Sequence, residues 1–121
     1  MGTMTIYRGE YKVYECTASE DGEPLVLTGA AIYLAVRNKP PLTSEEDDSE
    51  AMIAKSTVDS GITITDGAAG EFEIEFTKAD TNDLPLETFY YGIEAILSGY
   101  TDPVVLDVGT IEILSSYVRA V

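Results

Sequence analysis

Histidine and tryptophan are missing from this chain, and there is a single cysteine, Cys16. Without histidine, the commonest general base and the commonest transition-metal ligand are gone. That excludes Ser-His-Asp and Cys-His catalysis and any zinc site that depends on imidazole. One cysteine makes no intrachain disulfide, so the fold stands on its packing. Cys16 shares a strand face with Tyr14 and reads as a buried, inert thiol. Positive charge is scarce too: 7 Lys and Arg stand against 22 Asp and Glu, for a net charge of −15. This balance argues against binding nucleic acid through its phosphates, and against an anionic membrane surface. It keeps the chain soluble, and it leaves a basic protein or a divalent cation as charged partners to weigh. No apolar run approaches the ~20 residues needed to span a bilayer. The opening MGTMTIYRGE lacks the apolar core of a secretory signal.

What is present is a succession of short β-strand signals. The chain's 121 residues, 45% hydrophobic, make one domain over 1–121. Its ends, 1–4 and 115–121, are expected to be flexible. Thr5 to Thr17 reads as one or two strands broken near Gly9. Asp21-Gly22 marks a tight turn, followed by a short strand over Leu25 to Leu27. In Ala30 to Arg37, residues Ile32, Leu34 and Val36 share one face. Pro40-Pro41 ends that strand, and Asn38 to Glu50 is a charged loop. Ala51 to Thr57 and Gly61 to Thr65 follow as strands. Glu71 to Phe76 alternates strictly: Phe72, Ile74 and Phe76 face in, Glu71, Glu73 and Glu75 face out. A slip of one residue would bury three carboxylates, so the register is firmly specified. Thr77 to Leu86 is a connection with room for one helical turn. Phe89 to Leu97 and Val104 to Leu114 complete the set. In the last strand the apolar parity changes between Leu106/Val108 and Ile111/Ile113, which predicts a bulge near Gly109. Seven to nine short strands without a useful amphipathic helix point to an all-β fold. The expected architecture is an antiparallel, immunoglobulin-like β-sandwich.

Several residues also carry the signature of a known family. Leu27-Thr28-Gly29-Ala30 opens a strand after an Asp-Gly turn. Gly61-Ile-Thr-Ile-Thr65 comes next, and Gly70 precedes the alternating strand. Then come Thr77-Lys78-Ala79-Asp80-Thr81, Leu84-Pro85, and the aromatic Phe89-Tyr90-Tyr91. From about Arg8 to Leu114 the chain resembles the immunoglobulin-like N-terminal domain of phage baseplate upper proteins and related small tail proteins. The resemblance implies a non-catalytic structural or assembly protein of a phage or prophage particle, tail- or baseplate-associated. It implies protein partners, homo-oligomers and a place in the virion. The same residues have local physical reasons. Gly29 and Gly70 enter strands where an unusual φ is needed. Asp80 and Thr81 can satisfy backbone N–H groups. Leu84 and Phe89 would plug the end of the sandwich. Tyr90 or Tyr91 would act as a corner tyrosine bonded to loop backbone.

No catalytic residue set or cofactor is expected. An interaction surface would use Tyr7, Tyr11, Tyr33, Tyr100 and Tyr117, since tyrosine is enriched at interfaces. Tyr14 belongs to the same pool, part of which is core. Three other readings compete. Exposed tyrosines could stack on sugars, making a carbohydrate- or surface-binding module, although tryptophan is absent. Glu45, Glu46, Asp47, Asp48 and Glu50 could supply oxygens to calcium, but they lack the spacing of an EF-hand loop. Glu71, Glu73 and Glu75 have a spacing near that of paired glycosidase carboxylates, but on a wet, flat strand.

Overall fold

The computed structural model describes residues 2–37, 52–82 and 84–115. Ten strands and one short helix run through them: β1 (Gly2–Tyr7), β2 (Lys12–Thr17), β3 (Ser19–Glu20), β4 (Glu23–Pro24), β5 (Ala31–Arg37), β6 (Ile53–Ser56), β7 (Ile62–Asp66), β8 (Glu71–Phe76), α1 (Lys78–Thr81), β9 (Thr88–Ile96) and β10 (Val104–Leu114). They form a five-stranded sheet, β1-β10-β9-β5-β6, a three-stranded sheet, β2-β8-β7, and a small β3-β4 ribbon. The chain passes repeatedly between the two larger sheets. β10-β9-β5 opposite β2-β8-β7 is the immunoglobulin-like sandwich arrangement. The count exceeds the expected seven to nine because the Asp21-Gly22 turn closes a hairpin of two-residue strands. Both turn residues have positive φ, 53° and 83°, as a tight hairpin turn requires.

The core lies between the sheets. Ile32, Leu34 and Val36 of β5 and Phe89 and Ile93 of β9 are buried with Phe72, Ile74 and Phe76 of β8. Each fully buried side chain of this size contributes roughly 1.5–3 kcal/mol. The alternation of β8 works as expected: Phe72, Ile74 and Phe76 are buried, and the three glutamates face outward.

Four expectations need correction. Leu25–Leu27 is not a strand. Its backbone bonds singly to separate places, Leu25 N–H to Ala18 and Leu27 N–H to Gly67, so Leu27 plugs the core outside any ladder. The bulge of β10 lies at Val105/Asp107, not near Gly109. It turns Leu106 and Asp107 to the same side and leaves Val108 exposed, which resolves the parity change three residues earlier than expected. The sandwich is also not wholly antiparallel. β1 pairs in parallel with β10, Gly2 beside Gly109 and Tyr7 beside Leu114, and the strand already begins at Gly2. Finally, the hydroxyl of Tyr91 bonds the side chain of Asp107 on the neighbouring strand β10, and not loop backbone.

Two glycines explain how the chain turns into its strands. Gly29 and Gly70 both have positive φ, 76° and 74°. At Gly70 the space is closed as well, since a Cβ would meet the Ala18 carbonyl oxygen at 2.4 Å. That approach lets the Ala18 N–H donate to the Gly70 carbonyl at 2.8 Å.

Candidate functional site

Among the described residues, two polar clusters and two sheet faces present chemistry. The first cluster guards the edge of β1. Thr5 points its N–H and C=O away from β10, and the Tyr14 hydroxyl answers both. It accepts from the Thr5 N–H at 2.9 Å and donates to the Thr5 carbonyl at 2.7 Å. The Lys12 ammonium donates to the same carbonyl at 3.1 Å and lies 5.0 Å from the Tyr14 ring centre. At Tyr7 the N–H donates to the Glu10 carboxylate, and the Glu10 N–H returns a bond to the Tyr7 carbonyl. Tyr14 thus holds the backbone-bonded role expected of Tyr90 or Tyr91. Its position two residues before Cys16, on the inward parity of β2, was the available signal.

The second cluster lies between the sheets at the β10 bulge. Tyr91 donates to the Asp107 carboxylate at 2.6 Å. Burial, then this hydrogen bond and the charge of Asp107, push the Tyr91 phenol well above its ordinary value. Cys16 is half-buried beside them. Burial, with Asp107 adding to it, raises its thiol to about 11. At neutral pH Cys16 is therefore a protonated, poor nucleophile.

The outer face of the three-stranded sheet is acidic. Glu15 stands directly opposite Glu73, and Glu71 and Glu75 flank them along β8. Tyr11, 62% exposed, donates to the Glu75 carboxylate at 2.7 Å. That bond and the nearby carboxylates raise its phenol above the ordinary value. Tyr11, Val13, Gly61, Thr63, Glu73 and Glu75 line a shallow depression of about 140 Å³. Among the described residues no group of three or more acidic or cysteine side chains is placed to hold a metal ion. The calcium candidates Glu45, Glu46, Asp47, Asp48 and Glu50 lie outside the described residues.

The outer face of the five-stranded sheet is different. Tyr33 lies opposite Glu94, and Glu94 opposite Val105. The next row is Ala54, Ala35, Gly92 and Val108, and beyond it come Tyr90 and Thr110. Tyr7 and Leu114 form an exposed pair at its margin. Val105 and Val108 are exposed although both are aliphatic.

The five tyrosines singled out from sequence therefore do not make one surface. Tyr7 and Tyr33 belong to the five-stranded face, and Tyr11 to the acidic face. Tyr100, 69% exposed, occupies the turn after β9. Tyr117 lies outside the described residues. Tyr90, absent from that set, sits on the five-stranded face between buried Phe89 and Tyr91. Simple alternation was the signal for it. No family model matches this sequence, and no curated protein is significantly similar to it.

Proposed function

We propose that this chain is a non-catalytic structural or assembly protein of a phage or prophage particle, working through protein contacts. One observation carries the reading. The titratable side chains of the described residues stand on open faces or are tied into the interior, while tyrosine and valine are displayed on a broad sheet face. Such a surface suits association better than turnover. The resemblance to baseplate-associated domains supplies the virion setting. Its motif residues act here as turn, cap and core residues: Gly29 and Gly70 have positive φ, and Asp80 accepts from the Thr77 N–H at 2.7 Å. The test is mass spectrometry of particles purified from the host that encodes the chain. A fixed copy number per particle is the expected result, and absence from intact particles overturns the reading.

A second reading, a carbohydrate- or surface-binding module, is favoured by Tyr100 alone, whose ring is open to solvent on an end turn. It predicts glycan-array binding that Tyr100→Ala abolishes. A blank array removes it.

A further inference from the structure

We infer that the outer face of the five-stranded sheet is a self-association surface, on which a second copy of this chain docks face to face about a two-fold axis. The inference rests on the reading that the chain works by assembling. Its own support is physical, and it begins at Gly92.

Gly92 sits in the interior of β9, which is paired on both sides. Glycine there weakens a strand. Its φ is not positive, and an added Cβ would meet no described atom within 4 Å. No described residue therefore gives a reason for it. Glycine in a strand interior otherwise marks a place where another chain approaches closely. Ala35 and Ala54 continue the same low row, and Tyr33 and Tyr90 rise two residues away on either side. Both tyrosines are half-buried, so part of their side-chain freedom is already lost. Pre-ordered aromatics around a flat floor are the makings of an interface centre.

Charge identifies the occupant. The chain carries −15, so two copies repel unless their acid-rich surfaces stay apart. The outward positions of β2 and β8 on the smaller sheet include Glu15, Glu71, Glu73 and Glu75, with no base among them. The five-stranded face carries two described outward carboxylates, Glu94 and Glu112, while Arg37 at the end of β5 is buried. Docking there turns both acidic sheets to the outside of the pair. A basic partner would choose the opposite face. Size agrees: five strands spaced ~4.8 Å make a face roughly 24 Å wide. Over seven residues that is on the order of 550 Å² in projection, approaching the ~800 Å² per partner of a standard interface once side-chain relief is included. The three-stranded face is too narrow for this. A two-fold pairing also closes on itself, so it limits growth.

The experiment is sedimentation velocity and light scattering on the full chain over a wide concentration range. Three variants run beside it: Val108→Glu, Gly92→Thr, and Tyr11→Ser on the acidic face. A mass twice the 13.1 kDa of one chain is expected at high concentration. Val108→Glu should weaken the dimer tenfold or more. Gly92→Thr should do the same while leaving thermal stability unchanged or higher, which separates interface damage from misfolding. Tyr11→Ser should leave the dimer intact. Added salt should tighten it, because like-charged copies are being screened; a basic partner on the acidic face would loosen instead. A monomer at all concentrations overturns the inference. So does any other oligomer, or a dimer indifferent to Val108→Glu and Gly92→Thr. A monomer that is nonetheless present in purified particles refutes this pairing and leaves the virion role standing. A dimer absent from particles does the reverse.

Discussion

Tyr14 shows how much one hydroxyl can do at an edge. Exposed strand edges invite pairing with other chains, and proteins blunt them deliberately. Here the hydroxyl satisfies the Thr5 N–H and carbonyl together. Tyr14→Phe removes both bonds while keeping the edge-to-face contact with Phe76, whose ring centre is 6.1 Å away. The expected loss is about 1–2 kcal/mol, read by chemical denaturation, with faster aggregation on agitation. Gly70 is the second residue of consequence. Gly70→Ala places a methyl 2.4 Å from a carbonyl oxygen at a φ of 74°. It should cost about 2–4 kcal/mol and lower Tm by roughly 10 °C. A Tm within 2 °C (about the effect of a neutral surface change) would contradict that geometry. Cys16, with its thiol raised to about 11, should react with iodoacetamide at pH 8 far more slowly in the native chain than in the denatured one.

At the scale of elements, β8 was fully legible because one strand carries its whole signal. Phe72, Ile74 and Phe76 alternate with glutamates, and no other register keeps the carboxylates wet. The bounds of β10 were legible for the same reason. Its bulge was misplaced because parity shows that a residue is inserted somewhere between two phases, not where. Asp107 settles the position through its bond to Tyr91, a contact between residues sixteen apart that no local pattern encodes. The strand at Leu25–Leu27 misled because three aliphatic residues satisfy a strand pattern and a core plug equally well. The parallel β1·β10 pair was invisible in sequence, since pairing direction at an edge leaves no periodic trace. Of the surface, the tyrosines were visible as a residue type, but their division among two faces and an end turn depended on the topology. The short α1 joins two elements. Asp80 accepts from the Thr77 N–H at 2.7 Å and forms an ion pair with Lys55 of β6 at 2.6 Å. Asp80→Ala removes the cap bond and leaves a mostly buried ammonium without that carboxylate. A loss of about 2–4 kcal/mol is expected, and Asp80→Asn, which keeps an acceptor, should lose less. Equal losses would show that the cap contributes nothing.

At the scale of the whole molecule, titration should act on the interior. Cys16 and Tyr91 both have values raised in the fold. Groups shifted this way contribute their full stability below their unfolded values. That stability is lost as pH climbs through the folded ones, because the unfolded chain releases its protons first. Stability should therefore begin to fall above pH 9, where an unfolded thiol ionises, and decline through about 11. Cys16→Ala should flatten the first part of that decline, and Tyr91→Phe the later part. Urea midpoints measured from pH 7 to 11 decide it; a flat profile would mean that neither group is held in its neutral form by the fold.

The pairing of Gly2 with Gly109 and of Tyr7 with Leu114 reaches beyond stability into synthesis. β1 leaves the ribosome well before β10, its partner. Until β10 emerges, β1 has no native ladder to join. Contacts between such distant parts of a chain are slow to form. The sandwich is therefore expected to close only after β10 has emerged. A nascent chain stalled before Val104 should remain protease-sensitive at β1, and one released past Leu114 should not.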